Sequence, residues 1–401
     1  MRTVSKTVIG VDFGTQSARA VLVNAENGEI IYSCRKEYPY NSTPVPAIDC
    51  AENLPCATDY EMTLYELLRN VIPEEYRKTV AGICIDATSL TMVLLAEDGR
   101  ALSELDGWSE AAHARVKLWK YHRAQEKADE ALNLASNLQE PFLGRTGGSI
   151  SCEWMLPKLL EVRDEAPEIY SKIDLAMDLC EFLTFRLTGQ LVRSIGSLSY
   201  KCLWAEDLSF PERTFLNGLR AGFYEEYCHF LRGDVRKPGE CAGMLRSELT
   251  KRWGLPEQIP VATGMLDGHT SLATMGAFEP GDAALIVGTS NVCTVQDRKL
   301  QELKDVCGVA QDGMVTGSCG IDTGQSSTGN MLGWFVEHMA GWQIHREAEE
   351  RKISPHQVLA ERIQKPWENK VIAVDWWSGS RNAPCDLTLR GSMSGLEMDT
   401  K

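Results

Sequence analysis

No Gly-Lys pair occurs anywhere in the 401 residues, so the chain has no Walker A lysine, and no G-x-G-x-x-G follows a strand-like run. No C-x-x-C pair occurs either. The thirteen cysteines are scattered, and several, such as Cys84, Cys180 and Cys293, sit in apolar runs. They read as small buried hydrophobes of a reduced, cytoplasmic protein, not as a disulfide framework or a zinc site. Histidine is scarce: there are seven, with no partner His or Cys at ligand spacing, which excludes a metallohydrolase. No apolar stretch is long enough to span a bilayer, and the amino terminus reaches an apolar strand with no signal-peptide pattern. Positive charge is in deficit, with 41 Lys and Arg against 56 Asp and Glu, a net charge of −15. Nucleic acid and anionic membranes are thereby excluded as main partners. Any polyanionic ligand has to be met locally, by a divalent cation and backbone N–H groups.

What is present is a globular composition, 43% hydrophobic and 24% charged, in a chain long enough for two domains. Residues 7–13, 18–23 and 29–33 read as a meander, with Asn27-Gly28 turning the second strand into the third. Residues 80–86 and 91–96 add strands. Helical spacing covers 116–137, 153–163 and 175–187, the last stopped by Thr188-Gly189. From 256 to 260 the pattern resets to short strands at 259–265, 283–287 and 291–295. Residues 326–342 then read as a helix with Met331, Leu332, Phe335, Val336 and Met339 on one face. Val11-Asp12-Phe13-Gly14-Thr15-Gln16-Ser17 and Ile286-Val287-Gly288-Thr289-Ser290 are both apolar strands entering a Gly-Thr turn. They lie roughly 270 residues apart, which suggests two similar halves.

Small residues let backbone N–H groups approach an anion and hydroxyls add donors, so both Gly-Thr turns are candidate phosphate loops. Asp12 supplies a carboxylate at a strand end, where a hydrated Mg²⁺ can sit. An ordinary glycine hairpin accounts for either loop alone. Asp267, in Gly264-Met-Leu-Asp-Gly-His269, either projects into a cleft to take a proton or stabilises its own turn. His269 reads as its structural neighbour. Gly320-Ile-Asp322-Thr-Gly-Gln325-Ser326 places an acid, an amide and hydroxyls where a helix cap would also want them. Lys201 is a lone cation among Leu198-Ser-Tyr-Lys-Cys-Leu-Trp204, either snorkelling or functional. Trp119 and His122 read as a helix face.

Taken in this order, V-D-F-G-T-x-S, D-G-H, G-T-S and G-x-x-x-G-Q-S resemble the FGGY carbohydrate kinase family. Four further segments resemble its ribulokinase branch: Val116-Lys-Leu-Trp-Lys-Tyr-His122, Gly147-Gly-Ser-Ile-Ser-Cys-Glu-Trp154, Tyr200-Lys-Cys-Leu-Trp204 and Val374-Asp-Trp-Trp-Ser-Gly-Ser-Arg381. The resemblance covers essentially the whole chain. It implies an α/β fold of two ribonuclease-H-like domains of the actin and hexokinase type around a central cleft, here 1–256 and 257–401. The implied reaction is MgATP-dependent phosphorylation of L-ribulose to L-ribulose 5-phosphate in L-arabinose catabolism. Another ketopentose or pentitol is the alternative within the fold, and a non-catalytic sugar-binding fragment the alternative outside catalysis; a homodimer is also compatible.

By the same resemblance Asp267 is the general base, and Ser89, Lys201 and Asp322 line the sugar pocket with it. Asp12 orients Mg²⁺, while Gly14, Thr15, Ser17, Gly288, Thr289 and Ser290 cradle the phosphates of ATP. Three departures accompany it. Position 322 is Asp where that branch carries Glu, and Asp86-Ala-Thr-Ser-Leu-Thr-Met92 follows the family only loosely. Family members also continue past the segment Leu389-Arg-Gly-Ser-Met-Ser-Gly-Leu396. An incomplete second domain that binds sugar but holds ATP poorly is therefore the expectation.

Overall fold

Side chains alternate across β1 (Thr7–Phe13), turning Ile9, Val11 and Phe13 into the core and leaving Gly10 and Asp12 on the other face. In the computed structural model, which describes residues 6–38, 54–288, 290–363, 371–382, 386 and 388–398, that strand lies inside a seven-stranded sheet. It pairs antiparallel with β2 (Ser17–Asn24), which pairs antiparallel with β3 (Ile30–Glu37), giving the expected meander. On its other side β1 runs parallel to β4 (Val80–Ala87), in a register that sets Asp12 beside Asp86.

β5 (Met92–Leu95) does not extend this sheet; it pairs with β6 (Leu175–Asp178), and β7 (Val192–Ser194) pairs with β8 (Asp234–Arg236). β9 (Cys241–Met244), β10 (Pro260–Ala262) and β11 (Met265–Leu266) complete the first sheet, the last two parallel to β4. The first sheet therefore draws strands from both sides of residue 256. β12 (Ala283–Val287), β13 (Asn291–Asp297), β14 (Gly308–Gln311) and β15 (Cys319–Gln325) form a second, antiparallel sheet in the order β12-β13-β15-β14. The two sheets with their helices form two lobes, and the ends of β1, β4, β11 and β12 face the cleft between them. No described helix is long and apolar enough to cross a membrane. Nine of the described cysteines, Cys84, Cys180 and Cys293 among them, are free.

Three expected helices differ. The helix foreseen over 116–137 begins only at Gln125 and ends at Leu138. Ahead of it, Lys117 is fully buried in an ion pair with Glu161 (3.0 Å), and the carbonyls of Lys117 and Leu118 accept from Lys158 Nζ at 3.4 and 2.9 Å. Those carbonyls thus have partners outside any helical ladder, and the segment is a loop. Residues 175–187 split into β6 and the helix Leu179–Thr188, because a continuous apolar run suits a buried strand as well as a helix. The helix foreseen over 326–342 is Gly329–His338, followed by a separate helix Trp342–Arg351. Of its apolar face only Val336 is buried, while Leu332 and Met339 are exposed.

One aromatic side chain locks the lobes together beside the cleft. Tyr200, in the helix Ile195–Lys201 of the first lobe, inserts into the second sheet and donates its hydroxyl to the Gly320 carbonyl at 2.7 Å. A Cβ at Gly308, Gly313 or Gly320 would lie 2.6–2.7 Å from Tyr200 atoms, so the three glycines form its socket. Lys201, next in sequence, is thereby fixed against the second lobe. Gly313→Ala should lower stability by about 1–3 kcal/mol through overpacking against a rigid ring. Gly333→Ala, in a helix with open space around its Cα, should be neutral or stabilise by up to about 1 kcal/mol. Urea unfolding compares them; equal midpoints would contradict the socket.

Candidate active site

A cavity of about 590 Å³ between the lobes is lined by Asp12, Thr15, Ser89, Lys201, Asp267, Gly288, Ser290 and Asp322, which lie far apart in sequence. Of the other residues singled out above, Gly14 and Ser17 do not line it. Gly14 N–H closes its turn on the Ser17 carbonyl (3.2 Å), and the buried Ser17 hydroxyl accepts from Arg35 Nε at 3.0 Å. Thr289 lies outside the described residues. Gly288 N–H is likewise used within its own turn, to Ser290 O at 3.1 Å, two residues on where Gly14 reaches three.

One end of the cavity is acidic. Parallel pairing sets Asp12, on β1, against Asp86, on β4, and Met265 of β11 pairs with Asp86 in turn. Asp267 follows as the first residue of the helix Asp267–Met275, and its Oδ1 accepts from Gly268 N–H at 2.7 Å. The turn-stabilising bond and the cleft position therefore coexist. Burial pushes the Asp86 carboxyl up to about 9, helped by repulsion from Asp12 and Asp267. Burial also raises Asp267, to about 6, against the pull of the Gly268 N–H, with Asp12 adding repulsion and Lys201 opposing it. Among the described residues no group of three or more side chains is close enough to ligate an ion directly. Mg²⁺ commonly keeps several waters and needs only one or two carboxylates, and an all-oxygen acidic end suits it.

The other end is charge-balanced across the cleft. Lys201, from the first lobe, stands 3.6 Å from Asp322 on β15, and His269 Nε2 is also 3.6 Å from Asp322. Asp322 is thus a strand residue in the cleft, not a helix cap; the next helix begins at Gly329. Burial works against its ionisation, but Lys201, His269 and Arg381 prevail and hold its carboxyl below the ordinary range. Lys201 is 13% exposed, so it does not snorkel to solvent. His269 packs edge-on against Tyr200, 4.6 Å between centroids. A second cross-lobe pair joins Arg381 Nη2 to Glu153 Oε1 at 3.1 Å, with His122 Nε2 on the same oxygen at 3.0 Å. Burial alone would raise Glu153, yet Arg381 and His122 bring it down to about 2. Trp119 donates its indole N–H to Thr15 Oγ1 at 3.0 Å and lies 4.9 Å beneath Arg381.

Asp86, Trp119, Glu153 and Arg381 therefore belong to the cavity although sequence reasoning gave them no role. Asp86 was legible as an acid ending a strand, like Asp12. Trp119, Glu153 and Arg381 each sit in a segment that carried the family resemblance.

A two-lobed α/β fold with an acid-lined interlobe cleft is the architecture of the actin- and hexokinase-type phosphotransferases. The model of the FGGY carbohydrate kinase N-terminal domain matches residues 7–274 and that of the C-terminal domain residues 283–401, so this chain belongs to the FGGY family of carbohydrate kinases. Among curated relatives, the ribulokinase of Halalkalibacterium halodurans is 32% identical over 407 residues, covering 99% of this chain and 72% of that protein. The ribulokinase of Mycolicibacterium smegmatis is 35% identical over 411 residues, covering 98% and 72%. Among solved structures, a ligand-bound xylulose kinase from Lactobacillus acidophilus superposes with a TM-score of 0.76 at 19% identity, over 99% of this chain and 74% of that one. Plasmodium falciparum glycerol kinase with ADP gives 0.71 at 16% identity, again over 99% and 74%. At these identities the structural likeness establishes the fold.

Because Asp86 holds its proton well above the ordinary carboxylate range, the folded chain carries more protons than the unfolded chain from about pH 4 to about 9. Its contribution to stability therefore falls as pH rises through that window. Asp86→Asn should flatten this slope and be more stable than the parent at pH 8 by about 1–2 kcal/mol, the usual sign when a strained site residue is relieved. Urea unfolding at pH 5 and pH 8 measures it; an unchanged slope would contradict the raised Asp86 carboxyl.

Proposed function

We propose that the chain phosphorylates L-ribulose on its terminal hydroxyl, with MgATP as donor, giving L-ribulose 5-phosphate. The observation that carries this reading is the half-buried Asp267 carboxylate, set in one cavity with the Lys201–Asp322 pair and both Gly-Thr turns. Phosphoryl transfer asks for positioning, charge neutralisation and one base. Asp267 accepts the hydroxyl proton as the sugar oxygen bonds to the γ-phosphorus and the bond from that phosphorus to the bridging oxygen of ADP breaks. With its carboxyl near 6 it is largely ionised at neutral pH, yet a stronger base than an exposed aspartate. Lys201, Asp322 and Ser89 bind and orient the sugar, and Ser89 Oγ is buried with no partner among the described residues. The Thr15 and Ser290 hydroxyls face the phosphates. Asp12, with Asp86 behind it, would hold hydrated Mg²⁺, which offsets the charge of the phosphates.

Another ketopentose or a pentitol is the second reading. Asp322 stands 3.6 Å from both Lys201 and His269, beyond hydrogen-bond reach, which leaves latitude in how a sugar is gripped.

A panel of ketopentoses and pentitols, tested by calorimetry and by phosphorylation with MgATP, should rank L-ribulose first. Asp267→Asn should lower kcat by ~10²-fold or more while sugar binding largely persists. Lys201→Met should weaken sugar binding by roughly 1–3 kcal/mol through loss of a charged hydrogen bond. Turnover by Asp267→Asn within a few-fold of the parent would remove Asp267 from the mechanism, and a different best sugar would select the second reading.

A further inference from the structure

We propose that Arg381 is a sugar-binding residue whose Nε donates a hydrogen bond to an oxygen of the sugar in the cleft. This rests on the sugar-kinase reading above. Arg381 comes from the second lobe and meets the first across a separation of 228 residues, through Glu153. Its guanidinium plane is fixed twice, by the 3.1 Å bond from Nη2 to Glu153 and by the Trp119 ring 4.9 Å below it. Both supports are themselves held, Glu153 by His122 and Trp119 by Thr15. A donor held this rigidly loses little conformational freedom when a ligand arrives.

The donor that remains is Nε. The side chain is only 17% exposed and lines the cavity, and Nε is buried with no partner among the described residues. Buried donors without acceptors are uncommon, because each forfeits the solvation it would have in water. Ser89 Oγ, in the same cavity, is in the same condition. With His269 Nδ1 and Asn291 Oδ1, four unmet polar atoms belong to residues lining this cavity, and they call for a ligand carrying several hydroxyl or carbonyl groups.

Charge decides between a sugar oxygen and a phosphoryl oxygen. Arg381 is already matched by ionised Glu153, and Asp322 is close enough to interact with it as well. A phosphoryl group arriving at Nε would approach two carboxylates, whereas a neutral hydroxyl or carbonyl oxygen finds a donor and no net repulsion. Family membership does not by itself single out this residue; the geometry does.

The test is calorimetry with L-ribulose, or with whichever panel sugar the parent binds tightest, on the parent, Arg381→Lys, Arg381→Met and Glu153→Gln. Both Arg381 substitutions should weaken sugar binding by roughly 10- to 100-fold while MgATP affinity stays within about threefold of the parent. Lysine keeps the charge and the pairing with Glu153 but lacks the planar Nε donor, so it should not rescue. It also carries the test if the methionine variant fails to fold. Glu153→Gln keeps an acceptor for Nη2 and should lose less than Arg381→Lys. Sugar affinity of Arg381→Lys within about threefold of the parent would overturn the proposal, since a purely electrostatic or latching role is rescued by lysine. A loss confined to MgATP would overturn it as well. Failure of the parent to bind any ketopentose or pentitol would instead remove the sugar-kinase reading, and this inference with it.

Discussion

Two ion pairs crossing from lobe to lobe set the character of this cleft: Lys201 with Asp322, and Glu153 with Arg381. In each, one lobe contributes the base and the other the acid, so each of the four charges finds its partner across the cleft. Charges so far from water are tolerated only when matched, and leaving one unpaired costs far more than the pair contributes. The relative placement of the two sheets is therefore constrained at the cleft itself. Tyr200, seated in its glycine socket next to Lys201, reinforces the same constraint through packing.

The resulting electrostatics divide one cavity into two environments. At the β1 and β4 ends three aspartates interact, with Arg19 3.7 Å from Asp12, and repulsion among the acids adds to burial in raising Asp86 and Asp267. That end favours a cation and places a base. At the paired end, acids and bases cancel, which suits a neutral ligand rich in oxygen. A neutral polyol beside a metal-bound polyanion is the combination that a sugar kinase has to accommodate, and it reconciles a chain of net charge −15 with a polyanionic co-substrate.

Much of this was legible in the sequence, and the exceptions share a cause. β1, β2, β4, β12 and β13 lie where alternation and glycine turns placed them, because strand pattern is local. Asp12, Ser89, Lys201, Asp267 and Asp322 converge in the cavity. The loop ahead of Gln125 was read as helix because its spacing is helical, and what overrides the spacing is the burial of Lys117 against Glu161 and the bonds from Lys158, all long-range. Ser17 and Gly14 read as phosphate-binding by their neighbours in sequence, but strand pairing sends Ser17 to Arg35. Arg381 and Glu153 sit in segments that carry the family resemblance, but their pairing emerges only when the fold closes the 228 residues between them.

The most direct test is a crystal structure of the chain with L-ribulose. The account predicts the sugar in the interlobe cavity, its terminal hydroxyl within about 3.2 Å of an Asp267 carboxylate oxygen and its other oxygens on Lys201 and Asp322. A sugar bound in this cavity with its terminal hydroxyl turned away from Asp267, or bound elsewhere, would contradict it.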